Sequence, residues 1–243
     1  MLVDMKNTAY PSGTVTDSAA DSASDRRIRV LIADDHAAVR FGVSRLLGDQ
    51  PDMRVIAEAN SAIAAVDQAS RCPDVAVVDY HLGDRCGLWV THRRRHMPSP
   101  PRILIYSAFS DGALAVAAIV AGADGLLSKS SIGQELCVAV RRLASGRQYL
   151  PSISSTMIRA LGERLDPTQE AIVGMLVHEI SPAQIAIQLD CSEQELENER
   201  AAILAVLAPA VTRAGPRAPL DYDRPRRLSQ RQIALRHGVV SGR

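Results

Sequence analysis

Charged and hydroxyl side chains follow four separate apolar runs of this sequence, each at the point where its run ends. The groups are the pair Asp34-Asp35, then Asp79, Ser107 and Lys129. Short apolar runs of this kind fit strands that are buried on both faces. Because ligands bind outside the carboxyl ends of the strands in open parallel sheets, we expect these side chains to meet at one edge of a sheet.

Three carboxylates at one edge indicate a bound cation, since crowded carboxylates repel one another unless a cation intervenes. Mg²⁺ fits best because it takes oxygen ligands and keeps several waters, so Asp34, Asp35 and Asp79 are the predicted metal ligands. Such a site suits phosphoryl transfer, with Ser107 and Lys129 binding the phosphate oxygens. Asp79 is the predicted nucleophile and would form an aspartyl phosphate.

Each of these groups has a plainer interpretation when it is taken alone. An Asp after a strand often caps the following helix, a lone Lys is usually solvated, and a lone Ser is usually a cap or turn residue. The joint pattern at four strand ends is much harder to obtain by chance. It therefore favours the phosphoacceptor interpretation.

The elements that must position these groups read as five βα units with right-handed crossovers. Strands are expected at 28–33, 53–59, up to residue 79, 103–106 and 124–128. Helices are expected near 37–47, 61–70, 86–96, 113–121 and 132–144. The predicted fold is α/β, a doubly wound five-stranded parallel sheet of the flavodoxin-like kind.

The rest of the chain divides by composition and capping signals. Residues 1–27 are expected to be a disordered leader, because they have almost no bulky apolar residues. After the predicted sheet domain, residues 147–164 are expected to form a linker with a short helix. Three capping sequences begin at Asp166, Ser181 and Ser192, each three residues before Gln or Glu, and predict a small all-α helix-turn-helix domain at 165–208. Residues 209–243 form an Arg- and Pro-rich basic tail.

Composition excludes several classes of protein. The chain of 243 residues is 47% hydrophobic with a formal charge of +1, so its total charge says nothing about nucleic acid. There is no apolar run near about 18 residues and no basic N-terminal segment followed by an apolar one, so we expect a cytoplasmic protein without membrane contact. The four cysteines are far apart and are expected to be reduced packing residues.

The first half resembles the receiver domain of two-component response regulators, which places that domain at 28–146. The matching segments are Val30-Leu31-Ile32-Ala33-Asp34-Asp35-His36, Val77-Val78-Asp79-Tyr80-His81-Leu82, Ile105-Tyr106-Ser107-Ala108 and Gly122-Ala123-Asp124-Gly125-Leu126-Leu127-Ser128-Lys129.

By that resemblance, Asp79 accepts a phosphoryl group from a histidine kinase, Ser107 reports the phosphorylation and Lys129 pairs with the phosphoryl group. Asp34 and Asp35 hold the Mg²⁺, and the backbone carbonyl of His81 completes its shell. The resemblance also implies a homodimer through the surface at 111–144.

Two positions depart from the receiver pattern. Gly83 stands where proline is usual, and Leu126 stands where the family commonly has a switch aromatic. The phosphorylation chemistry is compatible with Leu126. Because Leu126 lacks the aromatic ring, we expect activation to proceed through Ser107 and the surface at 111–144.

The second half resembles the LuxR-type helix-turn-helix output domain of the NarL/FixJ class of regulators. That resemblance implies DNA binding, with Asn198 and Arg200 as candidate contacts. However, residues 165–207 contain eight acidic residues against one arginine, and Glu197 and Glu199 occupy positions where the family usually has Lys and His. The tail at 209–243 has the opposite balance, with eight arginines against two aspartates.

Three functions are compatible with the sequence. The favoured one is a phosphorylation-controlled transcription regulator that is not an enzyme beyond its own phosphorylation and dephosphorylation. The second has the same receiver, but its acidic output domain binds protein. The third is a phosphohydrolase, which is disfavoured because such enzymes need a second Asp two residues after the nucleophile, and here that residue is His81.

Overall fold

The computed structural model of this chain describes residues 27–211, apart from residues 95, 96, 98, 109–111, 132 and 163. The predicted leader (1–27) and basic tail (209–243) lie outside the described residues except at their inner ends.

A five-stranded parallel sheet forms the centre of the first half. Its strands are adjacent in the order β2-β1-β3-β4-β5, so the flavodoxin-like prediction is confirmed. The order reverses between β1 and β3, and the crevice at their carboxyl ends is where such a fold binds its ligands. The strands are β1 Ile28–Ala33, β2 Met53–Ala59, β3 Val75–Asp79, β4 Arg102–Ser107 and β5 Gly125–Ser128.

Five helices cover the two faces of this sheet. α1 and α5 share one apolar cluster, which includes Val43, Leu47 and Leu136, whereas α2, α3 and α4 contribute to the cluster on the other face. β3 is buried at all five positions because it is covered on both sides. The helices are α1 Ala37–Gly48, α2 Ala62–Gln68, α3 Gly87–Arg93, α4 Gly112–Ala121 and α5 Gly133–Ala144.

Two of these helices are shorter than predicted. α2 gives way to a 3₁₀ turn at Ala69–Arg71, which ends at Cys72 in the left-handed region with a φ of 52°. α3 ends at Arg93 rather than near residue 96, ahead of the prolines at 98, 100 and 101. Prolines lack the N–H that a helix needs, and they disfavour helical geometry in the residue before them.

The second half is helical. α7 and α8 begin at the predicted caps, where Asp166 and Ser181 each form a reciprocal capping box with the Gln three residues later. Ser192 and Glu195 exchange the same pair of bonds ahead of α9. The predicted linker helix is α6. The bounds are α6 Ser155–Gly162, α7 Pro167–Val177, α8 Pro182–Leu189 and α9 Glu193–Val211.

The helical half packs against α4 of the first half. α6, α7 and α9 all contact α4, and α9 has the most extensive contact. A single apolar cluster therefore runs from Leu114 on α4 to Ile172 on α7 and Leu204 on α9. Within the described part of the chain, no helix is both long and apolar enough to cross a membrane.

Candidate functional site

Asp34, Asp79 and Lys129 meet at the carboxyl edge of the sheet. Lys129 Nζ lies 2.6 Å from Asp34 Oδ2 and 2.8 Å from Asp79 Oδ2. Both carboxylates are almost fully buried, because Asp34 directly follows β1 and Asp79 ends β3 at the neighbouring position of the sheet. The proximity that was expected from the strand ends is therefore present in the fold.

Asp35 and His36 complete an acidic group at the mouth of this site. His36 Nδ1 lies 2.7 Å from Asp35 Oδ1, and the His36 backbone N–H donates to Asp34 Oδ1 at 2.8 Å. Candidate ligand atoms of Asp34, Asp35, His36 and Asp79 all lie within 4.8 Å of one another. Asp34 and Asp79 are buried and the other two are exposed, so the group opens to solvent on one side.

The loop after Asp79 is held by its own backbone. The Gly87 N–H donates to the Tyr80 carbonyl at 2.8 Å, and the Leu82 N–H donates to the Arg85 carbonyl at 3.3 Å. A side chain at Gly87 has no room, since a Cβ there would lie 2.4 Å from the carbonyl oxygen of Asp79. The start of α3 thus packs directly against the backbone of Asp79.

Asp84 ties the same loop to α2. Its carboxylate accepts from the backbone N–H groups of Ala62 at 2.8 Å and Ile63 at 3.1 Å, at the amino end of that helix. A carboxylate at this end satisfies two otherwise unbonded donors and complements the helix dipole. The loop that carries His81 is therefore anchored at both of its ends.

Burial and neighbouring charges have opposing effects on the pKa values of Asp79 and Lys129. Burial raises the pKa of Asp79, and Asp34 adds to this, while Lys129 and the His81 backbone N–H oppose it. Burial alone would lower the pKa of Lys129, but its hydrogen bonds to Asp34 and Asp79 outweigh burial and raise that pKa. Lys129 therefore stays protonated and offsets part of the carboxylate charge.

Ser107 lies at the same edge. It ends β4, is fully buried, and its backbone carbonyl accepts from the Lys129 N–H at 2.7 Å. Leu126, at the position of the family's aromatic, is 5% exposed on β5 and belongs to the cluster that contains α4. Ser107 therefore ends the strand next to that of the predicted phosphoacceptor, and Leu126 lies on the strand beyond it.

Comparison with known proteins identifies this arrangement. The family model for the response regulator receiver domain matches residues 30–141. The DNA-binding transcriptional activator DevR/DosR of Mycobacterium tuberculosis is 30% identical over 191 residues, covering 74% of this chain and 88% of that protein. The transcriptional regulatory protein UhpA of Salmonella typhimurium is 31% identical, covering 74% and 91%. This chain is a response regulator of the NarL type.

A solved structure has the same fold over three quarters of this chain. RcsB of Salmonella enterica serovar Typhimurium, solved bound to promoter P1flhDC in the presence of phosphomimetic BeF₃⁻, matches with a TM-score of 0.50 and 22% identity. The match covers 75% of this chain and 92% of RcsB. The two-part layout that was predicted, a receiver followed by a helical output region, is confirmed.

The donor set of the site fits the cation that receiver domains bind in an acidic pocket. Asp34, Asp35 and Asp79 offer carboxylate oxygens, which are the ligands that Mg²⁺ prefers. The His36 imidazole is the one nitrogen donor of the group. The sequence prediction omitted His36, although its place directly after the acidic pair was the signal that could have found it.

The candidate DNA contacts lie in different surroundings from those expected. Arg200 is 4% exposed, and its Nε donates to the carbonyl of Val120 on α4 at 2.8 Å. Asn198 is partly exposed, and its Oδ1 accepts from Gln194 Nε2 on the same helix at 3.2 Å. In this arrangement Arg200 cannot reach DNA, because the receiver covers it.

The two unexpected acids of α9 also have partners inside the protein. Glu199 Oε1 accepts from Gln169 Nε2 on α7 at 2.8 Å, in a fully buried contact. Glu197 Oε1 lies 2.9 Å from His92 Nδ1 on α3, and Glu197 Oε2 accepts from Arg200 at 3.2 Å. Both acids stand where the family usually has Lys and His, and in this fold they form contacts within and between the two halves.

Proposed function

We propose that this response regulator accepts a phosphoryl group on Asp79 and that its phosphorylation state controls transcription. The observation that carries the proposal is the contact of Lys129 with both Asp79 and Asp34 at the switch point of the sheet. A nucleophilic carboxylate beside a fixed ammonium group has a counterion in place for the incoming phosphoryl oxygens.

The transfer step requires only one bond exchange. An Asp79 carboxylate oxygen attacks the phosphorus of a phosphohistidine on the partner kinase, forming an O–P bond as the N–P bond breaks. The leaving imidazole nitrogen takes the electron pair of that bond. Lys129 would then pair with phosphoryl oxygens, and the Ser107 hydroxyl at the end of β4 would bind another.

Asp34, Asp35 and the Asp79 carboxylate would hold Mg²⁺, with the backbone carbonyl of His81 as a further ligand. When bound, the cation neutralises charge that develops on the transferred group. The chain's own residues position the reaction: the Gly87 N–H fixes the loop through Tyr80, and the His81 N–H bonds the Asp79 carboxylate.

Control of transcription is proposed from the relatives. DevR/DosR is a DNA-binding transcriptional activator and UhpA a transcriptional regulatory protein, and the alignments with both extend beyond the receiver into the helical half. The match to the response regulator receiver domain is the basis for proposing a histidine kinase as phosphoryl donor. The domain division at 28–146, 147–164 and 165–208 is proposed on the same footing.

Intact-protein mass spectrometry with acetyl phosphate and Mg²⁺ tests the phosphoacceptor. The wild-type chain should gain one phosphoryl group and Asp79→Asn should gain none. The control Asp67→Asn, at an exposed position of α2, should be labelled to the same extent as wild type. Equal labelling of wild type and Asp79→Asn would reject Asp79. Transcript profiles of cells carrying either protein should then differ, and identical profiles would reject control of transcription.

A further inference from the structure

α4 has no polar side chain anywhere along its length. Its sequence is Gly-Ala-Leu-Ala-Val-Ala-Ala-Ile-Val-Ala, and none of its ten residues is exposed. A helix that is apolar all round must be covered on every side. The sheet covers one side, and α6, α7 and α9 cover the other. Without the helical half, the receiver would present an apolar helix to water.

The charged side chain of Arg200 holds α9 against the carboxyl end of α4. α4 ends in a Schellman motif at Gly122, which has a φ of 85° and leaves the Val120 carbonyl without a partner from its own helix. Arg200 Nε donates to that carbonyl at 2.8 Å from the other half of the chain. Arg200 thereby satisfies the carboxyl end of α4 and places a positive charge at its negative dipole end.

A second connection runs from α9 to α3. Glu197 lies between Arg200 on its own helix, at 3.2 Å, and His92 on α3, at 2.9 Å. Arg200 and Glu197 are both at least nine-tenths buried as residues. Through the Val120 carbonyl and His92, Arg200 and Glu197 therefore connect α9 to two receiver helices, α4 and α3.

Release of α9 from the receiver would bring no gain in affinity for DNA. A freed helix would present Glu197 and Glu199 at positions where the family usually has Lys and His, and its one basic residue would be Arg200. Acids at these positions repel phosphates, whose attraction to bases supplies the baseline affinity of DNA-binding proteins. Release would also expose the apolar side of α4 to water.

We propose that α9 is a permanent cover of α4, so it stays docked whether or not Asp79 carries a phosphoryl group and does not read DNA. Transcriptional output therefore passes through a surface other than α9. The inference rests on the proposed function only for the loading of Asp79. The receiver and the helical half form one cooperative folding unit.

Hydrogen exchange on the full chain tests the docked state directly. Peptides from α4 and α9 are compared with and without acetyl phosphate and Mg²⁺, with the mass increase confirming that Asp79 is loaded. Exchange rates in both helices should change by less than about twofold. A rise of about tenfold or more in α9 on loading would overturn the proposal. Failure to load would instead count against the proposed function.

Unfolding by urea tests the shared folding unit without any phosphorylation. Trp89 is the one tryptophan of the chain and lies on α3, so its fluorescence reports the receiver, whereas far-UV ellipticity reports all helices. The two probes should give one midpoint. Leu207→Ala, at a fully buried position of α9, should lower both midpoints equally, and Ile187→Ala, at an exposed position of α8, should lower neither. A Trp89 midpoint unmoved by Leu207→Ala would overturn the inference.

Discussion

Asp79 lies in a site that disfavours its own negative charge. Burial raises its pKa, and the neighbouring Asp34 adds to the effect against the opposition of Lys129. A carboxyl whose pKa is raised by folding favours the folded state when it is protonated, and that contribution is lost as pH rises through the folded-state pKa. Ionisation of Asp79 therefore lowers the stability of the metal-free fold.

Replacing this carboxylate should stabilise the metal-free fold. We expect Asp79→Asn to raise the free energy of unfolding by on the order of 1 kcal/mol in the presence of EDTA, as measured by calorimetry at pH 7. Asp67→Asn, on the exposed side of α2, is the matched control and should melt as wild type does. Added Mg²⁺ should stabilise wild type more than Asp79→Asn. A lower melting temperature for Asp79→Asn would contradict this account.

Arg200 and Glu197 form a buried charge pair in which each depends on the other. Burial lowers the pKa of Arg200 to about 10, with repulsion from Arg94 as a smaller contribution, so the guanidinium stays charged at neutral pH. Removal of one member of a buried pair leaves the other unpaired, whereas replacement of both by apolar side chains is often neutral or stabilising.

Replacing Arg200 alone should therefore lower the free energy of unfolding more than replacing Arg200 and Glu197 together. Arg200→Met should lower the free energy of unfolding by about 3 kcal/mol, because Glu197 remains buried beside it. The double variant Glu197→Met with Arg200→Met should recover part of that loss but not all of it, because the Val120 carbonyl still lacks its Arg200 donor. Urea denaturation measures both free energies, and Arg45→Met, at an exposed position of α1, serves as control. Equal losses in the single and double variants would show that the pair is not coupled.

The strand-end residues of the site were predictable because they follow from local pattern. Asp34, Asp79 and Lys129 each end an apolar run, and parallel strands bring such ends to one edge. The partners of Glu197 and Arg200 were not predictable in this way. They depend on the docking of α9 against α3 and α4, which no local periodicity encodes.

Gly87 links an element boundary to the site. It begins α3, and a Cβ there would lie 2.4 Å from the Asp79 carbonyl oxygen and 3.2 Å from Val78 Cγ1. Those neighbours are the backbone and core of β3, so they have little freedom to move. A Cβ at Gly42, inside α1, would have no atom within 4 Å other than those of the neighbouring helix backbone and chain neighbours.

The two glycines should respond to alanine with opposite signs. Gly87→Ala should lower the free energy of unfolding by about 2 kcal/mol through overpacking and should slow labelling of Asp79 by acetyl phosphate. Gly42→Ala should raise the free energy of unfolding by about 0.5–1 kcal/mol, because alanine is the better helix former. Thermal melts and labelling rates measure these effects. Unchanged stability in Gly87→Ala would mean that α3 can shift freely from β3.

The elements themselves were mostly predictable from periodicity and caps. The five strands and the caps at Asp166 and Ser181 lie where they were expected, since both signals are local. The sequence predicted the helix α4 itself, but it did not reveal that the helical half covers it. That cover is a tertiary arrangement between segments about 80 residues apart, as the bond from Arg200 to Val120 illustrates.

At the scale of the whole molecule, the covered α4 changes the expected pairing surface. Sequence analysis placed homodimer contacts at 111–144, a span that includes α4, β5 and α5. α6, α7 and α9 occupy the outer side of α4, so this part of the surface is not free for a second copy. Within that span, α5 retains an exposed residue of appreciable size in Val138, which is 48% exposed. A homodimer contact in that span would therefore use residues outside the covered side of α4, such as Val138 on α5.

DNA attraction by the whole chain should come from its basic tail. Residues 212–243 contain eight arginines against two aspartates, whereas residues 165–207 carry a large excess of acids, and α9 is covered by the receiver. A chain ending at residue 211 should therefore lose retention of duplex DNA at low salt. The full chain should bind weakly, and its affinity should fall steeply as salt rises, because released counterions drive such binding.

Fluorescence anisotropy with two unrelated duplexes measures this retention and its sequence preference. Replacement of Arg224, Arg226 and Arg227 by Gln in the full chain should weaken binding to both duplexes alike and reduce the dependence on salt. Glu197→Lys with Glu199→Lys, which would strengthen binding by a free recognition helix, should instead lower stability, because both acids have buried partners. Tight, sequence-preferring binding by the chain ending at residue 211 would show that α9 leaves α4 and contacts DNA.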